Sequence, residues 1–152
     1  ARNRQMGEMA NRLFGADRPP LFFNLWIEGL ATCESMRLDG DGKTVDALMS
    51  RELAALSAPD VRRLAGELRG RMGSTAEADY RDFFWMSGER PGVPKRAAYA
   101  IGALVADRII ARQGLTRAVK LKGEPLRRAI AQALDAIGSE TFQLDWDKAC
   151  HA

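Results

Sequence analysis

The stretch Lys95-Arg-Ala-Ala-Tyr-Ala-Ile-Gly-Ala-Leu-Val-Ala-Asp-Arg-Ile-Ile-Ala-Arg-Gln113 decides the fold class. Ala98, Ile101, Leu104, Val105 and Ile109 recur three or four residues apart, the spacing that lines one face of an α-helix. Pro94 precedes the run and Gly114 follows it, so both ends carry the residues that punctuate helices. Ala97, Ala98, Ala100, Gly102 and Ala103 are small enough to let a second helix approach closely. The segment is therefore predicted to be a central helix.

The same logic organises the rest of the chain. Leu21–Leu38 is strongly apolar, with Pro19 and Pro20 at its entry, where proline is tolerated. Met6, Met9, Ala10 and Leu13 place a one-sided stripe over residues 2–13. A shorter helix is predicted over residues 44–56, around Val45, Leu48, Met49, Leu53 and Leu56. Ser57-Ala-Pro-Asp60 reads as a helix start, and Ser74-Thr-Ala-Glu77 has the form of a capping box. Helices follow from each, the second carrying Tyr80, Phe83 and Phe84. Pro91, Gly92 and Pro94 forbid helix in the loop before Lys95. A helical turn over residues 116–121 and a helix over residues 124–137 complete the set, and Gly138 ends the latter. Phe142, Leu144 and Trp146 alternate and are expected to dock as an extended tail. The chain thus reads as mainly α, a single compact multi-helix domain over residues 1–152 built from six to eight mostly short helices. A chain of 152 residues buries enough surface, roughly 70% of what it exposes unfolded, to fold without staples.

Composition excludes more than it assigns. Lys and Arg number 23 against 20 Asp and Glu, a net charge of +3 with the signs interleaved, so no nucleic-acid partner is indicated. No run of apolar residues is long enough for a membrane span. The only histidine, His151, rules out a metal site or triad needing two histidines within these residues. Cys33 and Cys150 lie far apart in sequence and pair only if the C-terminus folds back; two free thiols are the simpler expectation. Gly42-Lys43-Thr44 looks like the end of a phosphate-binding loop, but the upstream glycine position holds Arg37. Asp39 and Asp41 look like the start of a calcium loop, but Ser50 stands where its closing acid belongs. A solvated loop, with Thr44 capping the next helix, accounts for both. Arg62, Arg63, Arg69 and Arg71 are mixed with acids and read as a solvated helix face, and Tyr80, Phe83, Phe84 and Trp85 read as core.

Glu28 stands apart. It is a lone acid among Leu25, Trp26, Ile27, Leu30 and Ala31, in a helix apolar on all sides and therefore expected to be buried. A buried carboxylate needs a charged partner, donors or a metal. Residue types alone favour a structural ion pair, with Arg96 as one partner, over a metal ligand. Gly29 is costly inside a helix, by about 1 kcal/mol, and makes sense where another backbone must come close.

Trp26-Ile-Glu-Gly-Leu-Ala31 resembles the second zinc motif of gluzincin-type metallopeptidases, the group that includes predicted bacterial zinc-dependent proteases. In that family one helix bearing His-Glu-x-x-His supplies two ligands and the general base. A following helix supplies the third ligand from the Glu of a Trp-x-x-Glu-Gly-x-Ala pattern. Arg96-Ala-Ala-Tyr-Ala-Ile-Gly102 is similar to the downstream helix, with its Tyr-x-x-Gly. The resemblance spans roughly residues 20–138 in layout. It implies that Glu28 is a zinc ligand, that Tyr99 donates to the oxyanion, and that the substrate is a peptide or protein. It also implies that the family's first motif, absent here, lies in an N-terminal zinc-binding segment, making this chain the C-terminal helical half of a longer enzyme. Zinc is then expected in the full-length enzyme and not in this chain alone, which is expected to be inactive. Export from the cytoplasm follows from the resemblance only. The competing readings are a degenerate metal-free relative and a non-enzymatic helical module that binds another protein.

Overall fold

The computed structural model describes residues 18–39, 44–48, 50–85 and 90–151. Among these it contains eight helices and no strand, so the chain is mainly α. They are α1 (Leu21–Asp39), α2 (Thr44–Leu48), α3 (Arg51–Ala54), α4 (Ala58–Arg69), α5 (Glu77–Phe83), α6 (Ala97–Gln113), α7 (Leu115–Ala118) and α8 (Gly123–Ile137). The stripe predicted over residues 2–13 lies outside the described residues.

Helix α6 is central. Ten of its residues, from Ala97 to Ile109, are buried, and they cover nearly the whole circumference. Its main partner is α1, and α4, α5 and α8 pack around it. The two long helices meet where Gly29 faces Gly102. A Cβ on Gly29 would lie 2.3 Å from the Gly102 carbonyl carbon and oxygen, and a Cβ on Gly102 would lie 2.7 Å from the Leu25 carbonyl oxygen. The oddity of Gly29 is thus explained by backbone-to-backbone contact. The N-terminus of α1 is tied down as well: the Leu21 and Phe22 amides donate to the carbonyls of Ser74 and Met72, satisfying groups that a helix start leaves open.

Several local expectations change. Residues 44–56 form two short helices rather than one, because Ser50 is extended and caps α3, accepting from the Leu53 amide at 3.1 Å. Ser57 caps α4 as expected, accepting from Asp60. Ser74 does not build a capping box; its hydroxyl donates to Asp79, and α5 begins after Ala76 without a side-chain cap. Helix α6 starts two residues after Lys95 because Arg96 takes a left-handed conformation, φ 59°. Tyr80, Phe83 and Phe84 are core, and the Tyr80 hydroxyl donates to the Pro19 carbonyl.

The largest correction concerns the cysteines. The tail does fold back, and Cys33 and Cys150 form a disulfide with 5.2 Å between their Cα atoms, so neither is a free thiol. Phe142, Leu144 and Trp146 are half-buried against the core, and the Phe142 carbonyl accepts from Arg62 at 2.9 Å. The Cys150 amide donates to the Asp107 carboxylate on α6 at 2.8 Å. These contacts carry the tail across α6 to α1, which separation along the sequence conceals.

Candidate functional site

Helix α1 is not buried all round. Phe23 is 45% exposed and Ile27 46%, so one face looks outward while Leu25, Trp26 and Gly29 face the core. Glu28 sits at the border between the two and is half-buried, not fully buried as an all-apolar helix would make it. The Thr32 hydroxyl donates back to the Glu28 backbone carbonyl at 2.8 Å.

The carboxylate enters an open cleft of about 620 Å³, lined by Glu28, Thr32, Asp39, Asp46, Arg96 and Tyr99 among others. The cleft opens beside the Gly29–Gly102 contact, lined by α1 from Glu28 to Asp39, by α2 and by the start of α6. Tyr99 lies one turn before Gly102 and so projects into the gap. The Arg96 guanidinium stacks over the Tyr99 ring, 3.9 Å from its centroid. The left-handed backbone at Arg96 holds that stack at the mouth of the cleft. Such a conformation is uncommon for a residue with a side chain and is concentrated at functional sites.

Desolvation raises the Glu28 pKa, opposed by the positive field of Arg96 and by hydrogen bonding with Tyr99. Desolvation and then the Glu28 charge raise the Tyr99 pKa, so its hydroxyl stays a donor. Arg96 acts on Glu28 at longer range than an ion pair: the described ion pairs join other residues. The structural ion pair expected between them is therefore present only as a weaker attraction.

The structure brings Glu28, Tyr99 and Arg96 to one cleft, and adds Asp39, noted only as part of a rejected calcium loop, and Asp46, for which the sequence carried no signal. His151 is not brought to Glu28. The one grouping of metal-ligand side chains among the described residues is Cys33, Asp107 and Cys150, apart from the cleft. Residues 40–43, from the rejected phosphate- and calcium-loop readings, lie outside the described residues, and Thr44 is the first residue of α2. The basic residues of α4 and the turn after it are paired, with Arg63 and Arg71 to Glu67 and Arg69 to Asp135. No helix of the described residues is long and apolar enough to cross a membrane.

Comparison with family models, with curated proteins and with solved structures finds no match. The likeness to the gluzincin motif is also narrower than the full pattern. Trp26 precedes Glu28 by two positions, one fewer than the Trp-x-x-Glu spacing, so the match rests on Glu28, Gly29 and Ala31.

Proposed function

We propose that this chain is the C-terminal helical part of a zinc-dependent metallopeptidase and that Glu28 supplies its third zinc ligand. The observation that carries the reading is a half-buried carboxylate outside the described close ion pairs, held on a rigid helix at the wall of a cleft and hydrogen-bonded with a tyrosine hydroxyl. A carboxylate left so exposed to desolvation is unfavourable unless a cation completes it.

The described residues of the cleft do not make a zinc site by themselves. The cleft offers carboxylates and no nitrogen or sulfur donor, and a catalytic zinc takes three protein ligands. The fit is for one ligand, with the other two coming from an upstream His-Glu-x-x-His segment. When bound, zinc polarises a scissile carbonyl and lowers the pKa of its water. The chain's own residues then have separate tasks. The field of Arg96 favours the ionised, ligating form of Glu28. The Tyr99 hydroxyl, kept protonated by burial, donates to the oxygen that becomes negative during attack on a peptide carbonyl. The glycine contact fixes the distance between the helices that carry them.

The test is a protein in which these residues are joined to such an upstream segment. The expected result is about one zinc per chain and peptide hydrolysis, both lost in E28Q while the far-ultraviolet circular dichroism is unchanged. Full zinc content and activity in E28Q would remove Glu28 from the reading. A second reading, a non-enzymatic helical module, is favoured by the exposed Phe23 and Ile27, one turn apart on α1. It predicts that F23S/I27S abolishes a partner complex and that E28Q leaves that complex intact.

A further inference from the structure

The Cys33–Cys150 disulfide has a third neighbour. The two sulfurs and a carboxylate oxygen of Asp107 all lie within 4.8 Å of one another. The three come from different elements: Cys33 from α1, Asp107 from α6 and Cys150 from the tail. Both cysteines are almost fully buried, whereas Asp107 is half-exposed. A small cavity of about 160 Å³ is lined by these residues with Ile110 and Ala111. It gives the sulfurs room to separate when the bond between them is absent. One Asp107 oxygen accepts from the Cys150 amide, which orients the carboxylate and leaves its second oxygen unused.

We propose that the reduced chain binds a thiophilic divalent metal ion, zinc in the first instance, through Cys33, Cys150 and Asp107. A dithiol reductant transfers two electrons and two protons to the disulfide, giving two thiols, and is itself oxidised to a disulfide. The metal then displaces the two thiol protons and is held by two thiolates and one carboxylate oxygen, with solvent in the fourth position. Two thiolates and a carboxylate are a donor set that suits zinc, and an open fourth position is one of its ordinary coordination modes. The tail is thus fastened to α1 by a covalent bond under oxidising conditions and by a metal under reducing ones. The site is independent of the cleft, since Glu28 contributes nothing to it. The expectation that this chain alone holds no zinc therefore applies to its oxidised form.

The experiment is a cobalt(II) titration of the chain reduced with a phosphine and kept anaerobic, followed by competition with zinc. The expected result is one cobalt per chain with thiolate-to-cobalt charge-transfer absorption, bleached by zinc, and no binding by the oxidised chain. C33S and C150S should abolish that absorption. D107N keeps an acceptor for the Cys150 amide, so the tail stays seated. It should still weaken binding by at least about tenfold, the loss that even outer-shell partners of a metal produce. E28Q should bind like the parent. Circular dichroism monitors the fold of each reduced form. Absence of the charge-transfer band in the reduced parent overturns the proposal, as does D107N binding as tightly as the parent. A reduced chain that loses its helicity and does not regain it with metal overturns it too.

Discussion

Glu28 and Gly29 are consecutive residues on α1, yet they sit in opposite kinds of environment. Gly29 lies where two backbones touch and no side chain fits. Glu28, a rotation of about 100° around the helix, looks into an open cleft beside Arg96 and Tyr99. Helix α6 repeats the pairing, with Gly102 at the contact and Tyr99 one turn away at the opening. The contact is rigid because backbone atoms cannot move aside. The cleft is adaptable because only side-chain ends occupy it. A rigid crossing beside an open cleft is how a fold holds chemically costly groups in place, and substitutions should separate the two regions sharply.

The largest effect belongs to the crossing. An alanine at Gly29 gains helix propensity, about 1 kcal/mol, but its Cβ meets the Gly102 backbone at 2.3 Å. Overpacking of a core typically costs about 1–3 kcal/mol, and here the neighbour is backbone, so G29A should exceed that gain and G102L should lose at least about 3 kcal/mol. Urea denaturation measures both. A G102L protein as stable as the parent would mean that the helices do not touch there.

Next comes the tail. The disulfide closes a loop between residues 117 positions apart, and its removal in C150S should cost about 2–5 kcal/mol. The parent in reductant should fall by a similar amount in the absence of metal. A melting temperature insensitive to reductant would show that the docked tail, through Phe142 and the Arg62 bond, stays in place without the covalent link.

These two regions differ in how far the sequence reveals them. Both long helices were legible, α1 to within one residue at its end, because periodicity, entry prolines and a terminal glycine are all local signals. The anomaly of Gly29 was legible too, and so were the small residues around Gly102. Their mutual contact was not, because each segment carries only its own half of it. The division between α2 and α3 was hidden because the apolar residues on both sides of Ser50 keep helical spacing, while Ser50 itself turns extended to cap α3. The disulfide was hidden for a deeper reason: nothing near Cys33 or Cys150 encodes a tail that returns across α6. In the cleft, Glu28, Tyr99 and Arg96 were visible as chemistry. Their convergence is a consequence of the crossing, and Asp46 comes from an element with no distinguishing sequence.

The cleft should respond weakly where the crossing responds strongly. Desolvation raises the Glu28 pKa above its ordinary 4.5, so the folded chain binds that proton more tightly than the unfolded chain does. The stability this proton adds is fully present below about pH 4.5 and is lost as pH rises through the higher folded value. E28Q should therefore equal or exceed the parent in stability at neutral pH and should flatten this segment of the pH profile. A tightly paired carboxylate predicts a loss of about 3–5 kcal/mol instead. Thermal melts across that pH range decide between them.

The smallest effect is at Arg96, where backbone and charge can be separated. R96A and R96G both remove the stack on Tyr99, worth about 0.5–1 kcal/mol at a partly exposed site. Only glycine relieves the left-handed backbone at φ 59°, so R96G should be the more stable by about 1 kcal/mol. Both variants also remove the positive field that lowers the Glu28 pKa, so the Glu28 titration, followed by carbon NMR of its carboxyl group, should move to higher pH in each. The two readouts are independent, since stability follows the backbone and the titration follows the charge. Equal stability of R96A and R96G would place no strain at residue 96. An unmoved Glu28 titration would mean that Arg96 does not act on the carboxylate, and the described lining of the cleft would then lack a cation that favours a ligating, ionised Glu28.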